Sequence, residues 1–450
     1  MPTMTICCLG TDHTRASLAQ RERLTLSDER LDALLDALVA DPNVAEAAIL
    51  ATCNRAEIYL VAANVDAALD HASACLMHAT GATADDLAQL AVRRSGGEAA
   101  RHLFAVAAGL RSLVVGESQI LTQVREAFEH VAARGTRGTE LQSLGRAAVR
   151  CGKQVRAQTS LGTADASVSS VVVGLAARHF GSLHGRTAVL IGAGRISAVA
   201  ARLLHAAGIG ALFIVSRTRE AAEQLAATCN GRAATLDELP GLLDAADLAI
   251  AATRAPMPIV LPHMLTPRPP DRPLLLYDIA VPRNVDPGVG ALPSVTLVDL
   301  DGLPRAVSTD AGGVDAAWAI VDASVERYAV ESRTRRAVPL IAALREHVDR
   351  QKDAELARTL ADLDHLPAAD QEAVSLLAHR LINRMFHHLA IRIKAAATRP
   401  DAETYLEALA FLFSSEGTEY RTVTVPGPEL AAADAPESSV ADPEAGLMPR

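Results

Sequence analysis

Residues 187–197 read Thr-Ala-Val-Leu-Ile-Gly-Ala-Gly-Arg-Ile-Ser, an apolar run that leads into two closely spaced glycines. The run predicts a buried parallel strand, and the residues after the glycines predict a helix that reaches Ala207. Gly192 permits a tight turn, Gly194 allows close approach of a pyrophosphate, and Ser197 is small enough for helix–strand packing. The unit therefore predicts a dinucleotide site at a helix N-terminus. Its expected cofactor contacts are Gly192, Ala193, Gly194, Arg195, Ile196 and Ser197.

The loop after the next predicted strand, Ala211 to Val215, indicates which nicotinamide cofactor is bound. An acidic residue at the end of that strand would hydrogen-bond a free ribose 2′-hydroxyl. The chain instead continues with Ser216, Arg217, Thr218 and Arg219. Arginines and hydroxyls suit a 2′-phosphate, so NADPH is predicted over NADH, with the first three of these residues in contact. The alternative is an exposed basic loop without a ligand.

Apolar runs on both sides of this unit continue the alternation of helices and strands. A helix is predicted at Ser167–Phe180, and strands are predicted at Leu248–Ala252, Leu274–Ile279 and Thr296–Asp299. Strands that alternate with helices predict a parallel sheet covered on both faces. We therefore expect a Rossmann-like, doubly wound NADPH-binding domain over residues 161–310.

The composition sets limits on the class of protein. The 450 residues are enough for about three domains, and a chain that is 50% hydrophobic and 21% charged is not globally disordered. A net charge of -10 disfavours general binding of polyanions. Six cysteines without paired spacing indicate a reducing compartment and no zinc site. The N-terminus lacks a signal-peptide pattern and no apolar run spans a bilayer, so a cytoplasmic chain without membrane contact is expected.

An α+β catalytic domain is predicted over residues 1–160. Strands are expected at Met4–Gly10, before Cys53, and at Glu57–Ala62, and leucines at helical spacing predict a helix at Ser27–Val39. A later helix, from Leu141 to about Ser160, carries a basic row made of Arg146, Arg150, Lys153 and Arg156. That row is interpreted as a solvated face, with a phosphate-contacting surface as the alternative.

The C-terminal third has long helical patterns with few turns. A connecting helix is predicted from Ala316 to about Arg350, with a bend near Pro339. Further helices are predicted at Gln351–Leu363, Ala368–Ala396 and Ala402–Phe413. Such long helices indicate a domain used for association, placed at 311–415. The Pro-, Ala-, Glu- and Ser-rich residues 416–450 predict a disordered tail.

Cys53 is the candidate nucleophile. It lies in the polar sequence Thr52-Cys53-Asn54-Arg55, and a cysteine beside a guanidinium can have a lowered pKa, which favours the reactive thiolate. The alternative, a small core residue, fits poorly with three polar neighbours. A thiolate beside a nicotinamide domain predicts a thioester whose reduction releases an aldehyde. His102 is the acid–base candidate, although an ordinary histidine on a helix face is equally consistent with the sequence.

Several motifs occur in a fixed order between residues 4 and 415. They are Gly10-x-x-His13, Arg21-Glu22, Ala51-Thr52-Cys53-Asn54-Arg55-x-Glu57-x-Tyr59, Gly109-Leu110-x-Ser112, Gly116-Glu117-x-Gln119-Ile120-Leu121-x-Gln123, Lys153-x-Val155-Arg156-x-x-Thr159, Gly192-x-Gly194 and Asp278-Ile279-Ala280-Val281-Pro282-Arg283. In this order they resemble the glutamyl-tRNA reductase family. The cysteine motif and the Gly-Glu-x-Gln-Ile-Leu motif are the most specific.

The resemblance implies NADPH-dependent reduction of glutamyl-tRNA(Glu) to glutamate-1-semialdehyde with release of tRNA, the first step of the five-carbon route to 5-aminolevulinate and tetrapyrroles. It implies Cys53 as the nucleophile and His102 as the activity-critical histidine. Arg55 would hold the glutamate carboxylate in a two-pronged pair, and Glu117 the ammonium. The implied substrate contacts are Thr52, Cys53, Asn54, Arg55, Ser112, Glu117, Ser118, Gln119 and Gln123.

The resemblance further implies a homodimer formed through the C-terminal helices. The unstable aldehyde favours direct transfer to glutamate-1-semialdehyde aminomutase as a partner, and no metal is implied. Four positions depart from the family pattern: Arg111 replaces aspartate, Ser118 proline, Thr122 glycine, and Ser197 the usual third glycine. Arg111 reverses a charge beside the predicted pocket.

Two other functions remain open at this point. A shikimate-dehydrogenase-like oxidoreductase acting on a small molecule would leave Cys53 and the basic helix unexplained. A catalytically diverged tRNA-binding paralogue is disfavoured by the presence of Cys53 and His102, while Arg111 is compatible with it.

Overall fold

A computed structural model describes residues 4–133, 139–162, 167–304 and 311–399, together with positions 404, 405 and 408. The described residues form an antiparallel sheet with helices, then a parallel sheet with helices, then two long helices. Most of the helix predicted at 402–413 and all of the tail predicted at 416–450 lie outside the described residues.

The N-terminal part contains a four-stranded antiparallel sheet in the order β2-β3-β1-β4. Its elements are β1 (Thr5–Asp12), α1 (Leu18–Arg23), α2 (Asp28–Val39), β2 (Val44–Thr52), β3 (Arg55–Ala62), α3 (Val65–Thr80), α4 (Ala84–Leu90), β4 (Val92–Ser95), α5 (Gly96–Ala107), α6 (Gln119–Ala133) and α7 (Thr139–Gln158). Thr52 pairs with Arg55, so Cys53 and Asn54 form a two-residue hairpin turn between β2 and β3. The hairpin fixes the candidate nucleophile at one end of this sheet.

The short helix α1 is held by its own sequence. The Ser17 hydroxyl accepts a hydrogen bond from the Gln20 amide at 3.4 Å, and the Gln20 side chain accepts one from the Ser17 amide at 2.9 Å. This reciprocal arrangement is a capping box, which satisfies two amides that the start of a helix would otherwise leave free. It gives a six-residue helix a defined direction.

The second part contains six parallel strands in the order β7-β6-β5-β8-β9-β10. Its elements are α8 (Val168–Phe180), β5 (Thr187–Ile191), α9 (Arg195–Ala206), β6 (Ala211–Val215), α10 (Arg219–Ala227), β7 (Arg232–Ala234), α11 (Leu239–Ala245), β8 (Leu248–Ala251), β9 (Leu274–Asp278) and β10 (Val295–Asp299). The strand order reverses between β5 and β8, which opens a crevice at their carboxyl ends. The predicted doubly wound sheet is confirmed.

The third part consists of α12 (Ala311–Asp362) and α13 (Ala368–Ala397). The separate helix predicted at Gln351–Leu363 was wrong, because α12 continues through it. No glycine or proline occurs between positions 340 and 366, so the sequence offers no residue that would end a helix there. No helix among the described residues combines the length and the apolarity needed to cross a bilayer.

One face of α13 leaves large apolar side chains in contact with solvent. The exposed residues are Leu376, Leu377, Leu381, Met385, Leu389 and Ile391. Ile393 and Ala397, in contrast, are buried with Ala337 and Leu344 of α12. An apolar row of this length on a surface is typical of a protein–protein contact.

Candidate active site

Glu57, on β3, is the centre of a buried polar network. Its Oε1 accepts hydrogen bonds from Arg55 Nη1 and His102 Nε2, each at 2.8 Å, and its Oε2 accepts one from the Tyr59 hydroxyl at 2.7 Å. Burial alone would raise the pKa of Glu57. The charges of Arg55 and His102, with the hydrogen bonds from His102 and Tyr59, outweigh burial and hold that pKa well below its usual range. Glu57 is therefore an ionised carboxylate with all its neighbours in place.

The second terminal nitrogen of Arg55 donates to the main chain. Its Nη2 donates to the carbonyl oxygen of Arg111 at 2.5 Å, while Nη1 is held by Glu57. Only Nε is without a hydrogen-bond partner among the described residues. The predicted two-pronged grip of Arg55 on a substrate carboxylate therefore does not fit this structure. This buried and paired guanidinium instead links Glu57 to the main chain at Arg111 and so stabilises the structure around the pocket.

The charge reversal at Arg111 lies outside this network. The Arg111 side chain is exposed, and its guanidinium lies 5.5 Å from the centre of the Trp318 ring on α12. Arg101 also stacks on that ring, at 4.6 Å. The contact to Arg55 comes from the main-chain carbonyl, which every residue type provides. Arginine in place of aspartate thus preserves this hydrogen bond and adds a contact to α12.

Cys53 is half-buried in the β2–β3 turn. Burial, followed by the negative charge of Glu117, raises the pKa of the Cys53 thiol to about 12, and the charges of Arg21 and Arg55 offset this only in part. The neighbouring guanidinium acts in the expected direction, but the net pKa of the thiol is raised rather than lowered because burial outweighs it. Arg55 is neutralised by Glu57, and loss of water around the sulfur disfavours the thiolate.

His102, on α5, is buried and turned toward Glu57. Because an ionised carboxylate only accepts hydrogen bonds, His102 Nε2 is the donor in this pair. No hydrogen bond joins His102 to Cys53 in the described part of the chain. Its role as acid or base toward the sulfur stays a prediction, whereas its contact with Glu57 is explicit.

Glu117 and Arg156 both have side-chain polar atoms that lack partners among the described residues. Glu117 is 8% exposed, yet its carboxylate has no hydrogen bond or ion pair with any described residue. Burial raises the pKa of Glu117 to about 7, against the opposing charges of Arg55 and Arg156. Arg156, from α7, donates Nη2 to the Glu117 carbonyl at 2.7 Å and leaves its buried Nη1 unpartnered within the described residues. Buried polar groups without partners indicate a site built for a polar ligand.

The basic row on α7 divides between two roles. Arg156 turns inward to the site, and Arg150 pairs with Glu331 of α12 at 3.2 Å. Arg146 and Lys153 are exposed. Arg156 was assigned to the solvated face from its spacing alone. Its place in the Lys153-x-Val155-Arg156 motif separated it from Arg146 and Arg150 but not from Lys153.

The remaining predicted substrate residues differ in burial. Thr52 Oγ1 accepts a hydrogen bond from the Asn54 amide at 3.2 Å, and the buried Oδ1 of Asn54 has no partner among the described residues. Ser112 is buried, Gln119 and Gln123 of α6 are half-buried, and Ser118 is exposed. Across the described residues, no group of three or more His, Cys, Asp or Glu side chains is placed to hold a metal.

The crevice between β5 and β8 fits a dinucleotide phosphate. Gly192 has φ +114°, and a Cβ there would lie 2.6 Å from the Ala252 carbonyl oxygen, so only glycine is accommodated. Gly194 is the N-cap of α9, with open space where a side chain would be. The first amides of α9 therefore remain available to an anion. Ser197 is buried, which is consistent with a small third residue.

The flanking residues give the cofactor site its charge. Arg195 is exposed and pairs with Glu126 at 3.4 Å. After β6, Ser216 is half-buried while Arg217 and Thr218 are exposed, and no described residue pairs with Arg217. The loop offers an unpaired cation where an acidic residue would be expected for NADH.

Three family models match consecutive stretches of the chain. The model described as glutamyl-tRNAGlu reductase, N-terminal domain matches residues 9–159, and the model described as glutamyl-tRNAGlu reductase, dimerisation domain matches residues 316–415. Together these two cover more than half of the 450 residues. The chain belongs to the glutamyl-tRNA reductase family. It is accordingly an oxidoreductase of tetrapyrrole biosynthesis, and it carries a dimerisation domain.

The model described as shikimate / quinate 5-dehydrogenase matches residues 174–306, which contain the parallel sheet. That match supports a nicotinamide cofactor. It does not extend to the parts on either side, both of which match reductase models. A shikimate-dehydrogenase-like function for the whole chain is therefore disfavoured.

Solved structures give further similarities. Glutamyl-tRNA reductase from Methanopyrus kandleri is 28% identical over 92% of this chain and 99% of that chain, with a TM-score of 0.49. The nucleotide binding domain of glutamyl-tRNA reductase from Thermoplasma volcanium is 20% identical over 30% of this chain and 88% of that chain, with a TM-score of 0.24. Quinate dehydrogenase from Corynebacterium glutamicum, in complex with NAD, is 18% identical over 36% and 61%, with a TM-score of 0.26.

Proposed function

We propose that this chain reduces glutamyl-tRNA(Glu) to glutamate-1-semialdehyde with NADPH, through a thioester on Cys53, and releases the tRNA. The observation that carries the proposal is the position of Cys53 among charged groups without partners. Glu117 and Arg156 leave an anion and a cation unsatisfied in the pocket, and the charge of Glu117 acts on the Cys53 thiol. A buried site with both charges open is complementary to a glutamyl group.

The two ends of the glutamyl group would be held by different side chains. Its ammonium pairs with the Glu117 carboxylate, which has no other partner in the described chain. Its side-chain carboxylate accepts from the unpartnered Nη1 of Arg156 and Nε of Arg55. Charge-assisted hydrogen bonds to buried groups are stronger than those between neutral groups, and a ligand that lacks either charge leaves a buried ion unpaired.

Binding of this substrate would also activate the nucleophile. In the free chain, burial and Glu117 together raise the pKa of the Cys53 thiol to about 12. An ammonium placed on Glu117 cancels the negative charge that contributes to this rise, and therefore lowers the thiol pKa. The thiolate is therefore more populated when the aminoacyl group is present than in the free chain, which limits side reactions of the free enzyme.

The chemistry has two steps. The Cys53 sulfur attacks the carbonyl carbon of the glutamyl ester, a carbon–sulfur bond forms, and the bond to the terminal ribose oxygen breaks. The tRNA leaves with the thiol proton on that oxygen. When bound, NADPH would supply the hydride for the thioester carbon, after which the carbon–sulfur bond would break to give the aldehyde and a thiolate that takes a proton from solvent. His102 and Glu57 keep Arg55 in place throughout.

The NADPH assignment is supported by the β5–β8 crevice and the loop after β6. Gly192, Gly194 and the first turn of α9 would hold the pyrophosphate, and Arg217 the 2′-phosphate. We expect Arg217→Ala to weaken NADPH binding about tenfold with little change for NADH. Arg219→Ala is the matched control, because Arg219 already pairs with Glu223 at 3.1 Å. Fluorescence titration with both cofactors measures this, and equal weakening of NADPH and NADH by Arg217→Ala would remove the assignment.

The partners follow from the surfaces. The exposed apolar row on α13, Leu376 to Ile391, would pack against a second copy to form a homodimer. Arg146 and Lys153 are exposed and available to tRNA phosphates. Direct transfer of the aldehyde to an aminomutase and a cytoplasmic location stay predictions of the sequence.

The function is tested by single-turnover kinetics with glutamyl-tRNA. Wild type oxidises NADPH, and without NADPH it carries glutamate on Cys53, detected by peptide mass spectrometry. Cys53→Ser lowers the rate by about a thousandfold or more, while Cys75→Ser, a half-buried cysteine on α3, retains it. Turnover of free glutamate or shikimate would support a small-molecule enzyme instead. Binding of tRNA without any NADPH oxidation would support a catalytically silent paralogue.

A further inference from the structure

Glu22 of α1 makes a dense set of contacts with Arg283. The Arg283 main-chain amide donates to Glu22 Oε1 at 2.7 Å, Nε donates to both oxygens at 2.8 and 3.0 Å, and Nη2 lies 2.8 Å from Oε2. Glu22 belongs to the N-terminal part, whereas Arg283 lies in the loop after β9. The ion pair therefore joins the part that carries Cys53 to the part that carries the nucleotide crevice.

A second set of contacts on the same helix points the same way. The Leu18 amide donates to Asp301 Oδ2 at 2.6 Å, and Arg21 Nη2 donates to Asp301 Oδ1 at 3.1 Å. Asp301 follows β10, so the loops that carry Arg283 and Asp301 both lie at the carboxyl edge of the parallel sheet. Arg21 is itself buried and donates Nη1 to the Ala16 carbonyl at 2.7 Å. Helix α1 is thus bonded to this edge at two places.

The loop that carries Arg283 is fixed by a buried carboxylate. Asp278 ends β9 and is 1% exposed. Its Oδ1 accepts from the Ala280 amide at 3.1 Å, and its Oδ2 accepts from the amides of Asn284 and Val285 at 2.7 and 2.8 Å. Main-chain donors on both sides of Arg283 hold that residue at a set position relative to the sheet. The Asp278 to Arg283 motif therefore presents one guanidinium to α1.

The same region borders the candidate nucleophile. Cys53 and Leu18 pack into the apolar cluster that contains Ile279 and Val281, two residues of the motif that ends at Arg283. Two cavities of about 450 and 230 Å³ adjoin this junction, the first lined in part by Leu18 and Arg283 and the second by Ser17 and Asp301. Apolar side chains therefore do not fill this junction completely. The ionic contacts of α1 contribute more to aligning the two parts than they would in a fully packed interface.

We propose that the Glu22–Arg283 ion pair is a positioning contact that sets the carboxyl edge of the nucleotide-binding sheet against Cys53, so that it governs reduction of the acyl group but not its formation. This inference rests on the proposed function. Acyl transfer needs only the groups of the N-terminal pocket, whereas reduction needs both parts in one alignment. Displacement by about 1 Å of a group far from the reacting atoms can cost on the order of 100-fold in rate.

The first experiment separates the two steps in Glu22→Gln and Arg283→Gln. The matched control is Arg23→Gln, on the same helix, whose ion pair with Asp86 at 2.9 Å stays within the N-terminal part. We expect all three variants to acylate Cys53 without NADPH within about twofold of wild type. With NADPH, single-turnover reduction falls on the order of 10- to 100-fold in the two test variants and not in the control. The charge-swapped double variant, Glu22→Arg with Arg283→Glu, recovers part of the loss.

A second measurement needs neither tRNA nor NADPH. Iodoacetamide labelling followed by peptide mass spectrometry gives the reactivity of each cysteine in the dimeric chain. Cys53 is expected to react several-fold faster in Glu22→Gln and Arg283→Gln than in Arg23→Gln. Cys7 and Cys8, both 0% exposed, report on unfolding and are expected to stay protected.

Two results would overturn the inference. One is an equal fall in acylation and reduction; the other is labelling of Cys53 at the rate of the Arg23→Gln control. Failure of the proposed function has a different signature, because wild type would then never carry glutamate on Cys53. The labelling comparison would still decide the role of the ion pair in that case.

Discussion

Glu57 and Glu117 are two buried glutamates in one pocket with opposite surroundings. Glu57 is 2% exposed and contacts Arg55, His102 and Tyr59, while Glu117 is 8% exposed and has no hydrogen-bond partner within the described chain. The pKa of Glu57 lies well below its usual range, and the pKa of Glu117 is raised to about 7. Burial alone therefore does not determine the pKa of a glutamate; the groups around the carboxylate decide its direction.

The two glutamates differ in whether the chain itself supplies the hydrogen-bond donors that a buried carboxylate needs. Around Glu57 the chain itself supplies every donor, so the group is fixed and closed to a ligand. Around Glu117 the donors are missing, so the free energy cost of burial is offset only when a ligand brings them. On the proposed function, Glu57 stabilises the site and Glu117 recognises the substrate.

The largest effect is expected from Glu57→Gln, which removes the negative charge at the centre of the buried hydrogen-bond network. Arg55 would keep its charge in a buried place without its hydrogen-bonded counterion, a change that destabilises proteins by about 3–5 kcal/mol. Activity is expected to fall with it, because Arg55 and His102 lose their common anchor. Denaturant unfolding monitored by far-UV circular dichroism, together with NADPH oxidation, measures both. Tyr59→Phe is the control, since it removes one neutral donor and costs only about 1–2 kcal/mol; equal losses would refute the view that the charge pair dominates.

A smaller effect is expected from Arg156→Gln, which removes a guanidinium that the described residues leave partly unpaired. We expect kcat/KM for glutamyl-tRNA to fall on the order of 100-fold while the unfolding midpoint changes little, because Arg156 makes few contacts within the chain. The preference for glutamyl-tRNA over the same tRNA charged with glutamine should also shrink. Arg150→Gln, one helical row away and paired with Glu331, should leave that preference intact. If Arg156→Gln still prefers glutamyl-tRNA over the tRNA charged with glutamine, Arg156 does not contact the substrate carboxylate and that contact is assigned to Arg55.

The smallest effect is expected from Glu117→Gln, and it depends on pH. The Glu117 pKa is raised from 4.5 to about 7, chiefly by burial, so the folded chain binds a proton more tightly than the unfolded chain does. The sign is therefore a loss of wild-type stability as pH rises from about 4.5 to 7, by at most about 3 kcal/mol. Glu117→Gln should lack this slope and be the more stable protein at pH 8.

The same variant should bind substrate more weakly where wild-type Glu117 is ionised. At pH 8 we expect KM for glutamyl-tRNA to rise about tenfold, because a neutral amide replaces the partner of the ammonium. Below pH 6 the two proteins should converge, since wild-type Glu117 is then protonated. A difference in KM that stays constant across this range would exclude Glu117 as the ammonium contact.

Local patterns were predicted well where neighbours in sequence are neighbours in space. The strand at Thr187–Ile191, the strand at Ala211–Val215 and the helix after Ser27 all fall where periodicity and capping predict them. The break at Gln351 was wrong because no residue there ends a helix, and α12 continues to Asp362. The net pKa of the Cys53 thiol differs from the expectation because burial of the sulfur dominates it. The two-pronged grip of Arg55 does not fit because Glu57 and the distant Arg111 carbonyl oxygen occupy both of its terminal nitrogens.

By itself the sequence determined the strand–turn–helix unit of the nucleotide sheet, the strands before and after Cys53, and the family to which the chain belongs. These depend on side-chain periodicity, on glycine at Gly192 and on short motifs, all of which are local. Only the tertiary structure decided that Arg55 is occupied, that Arg156 faces inward, and that Glu22 meets Arg283 across 261 positions of chain. Charge pairing and desolvation depend on distance in space, and a sequence does not state which of its charges will meet.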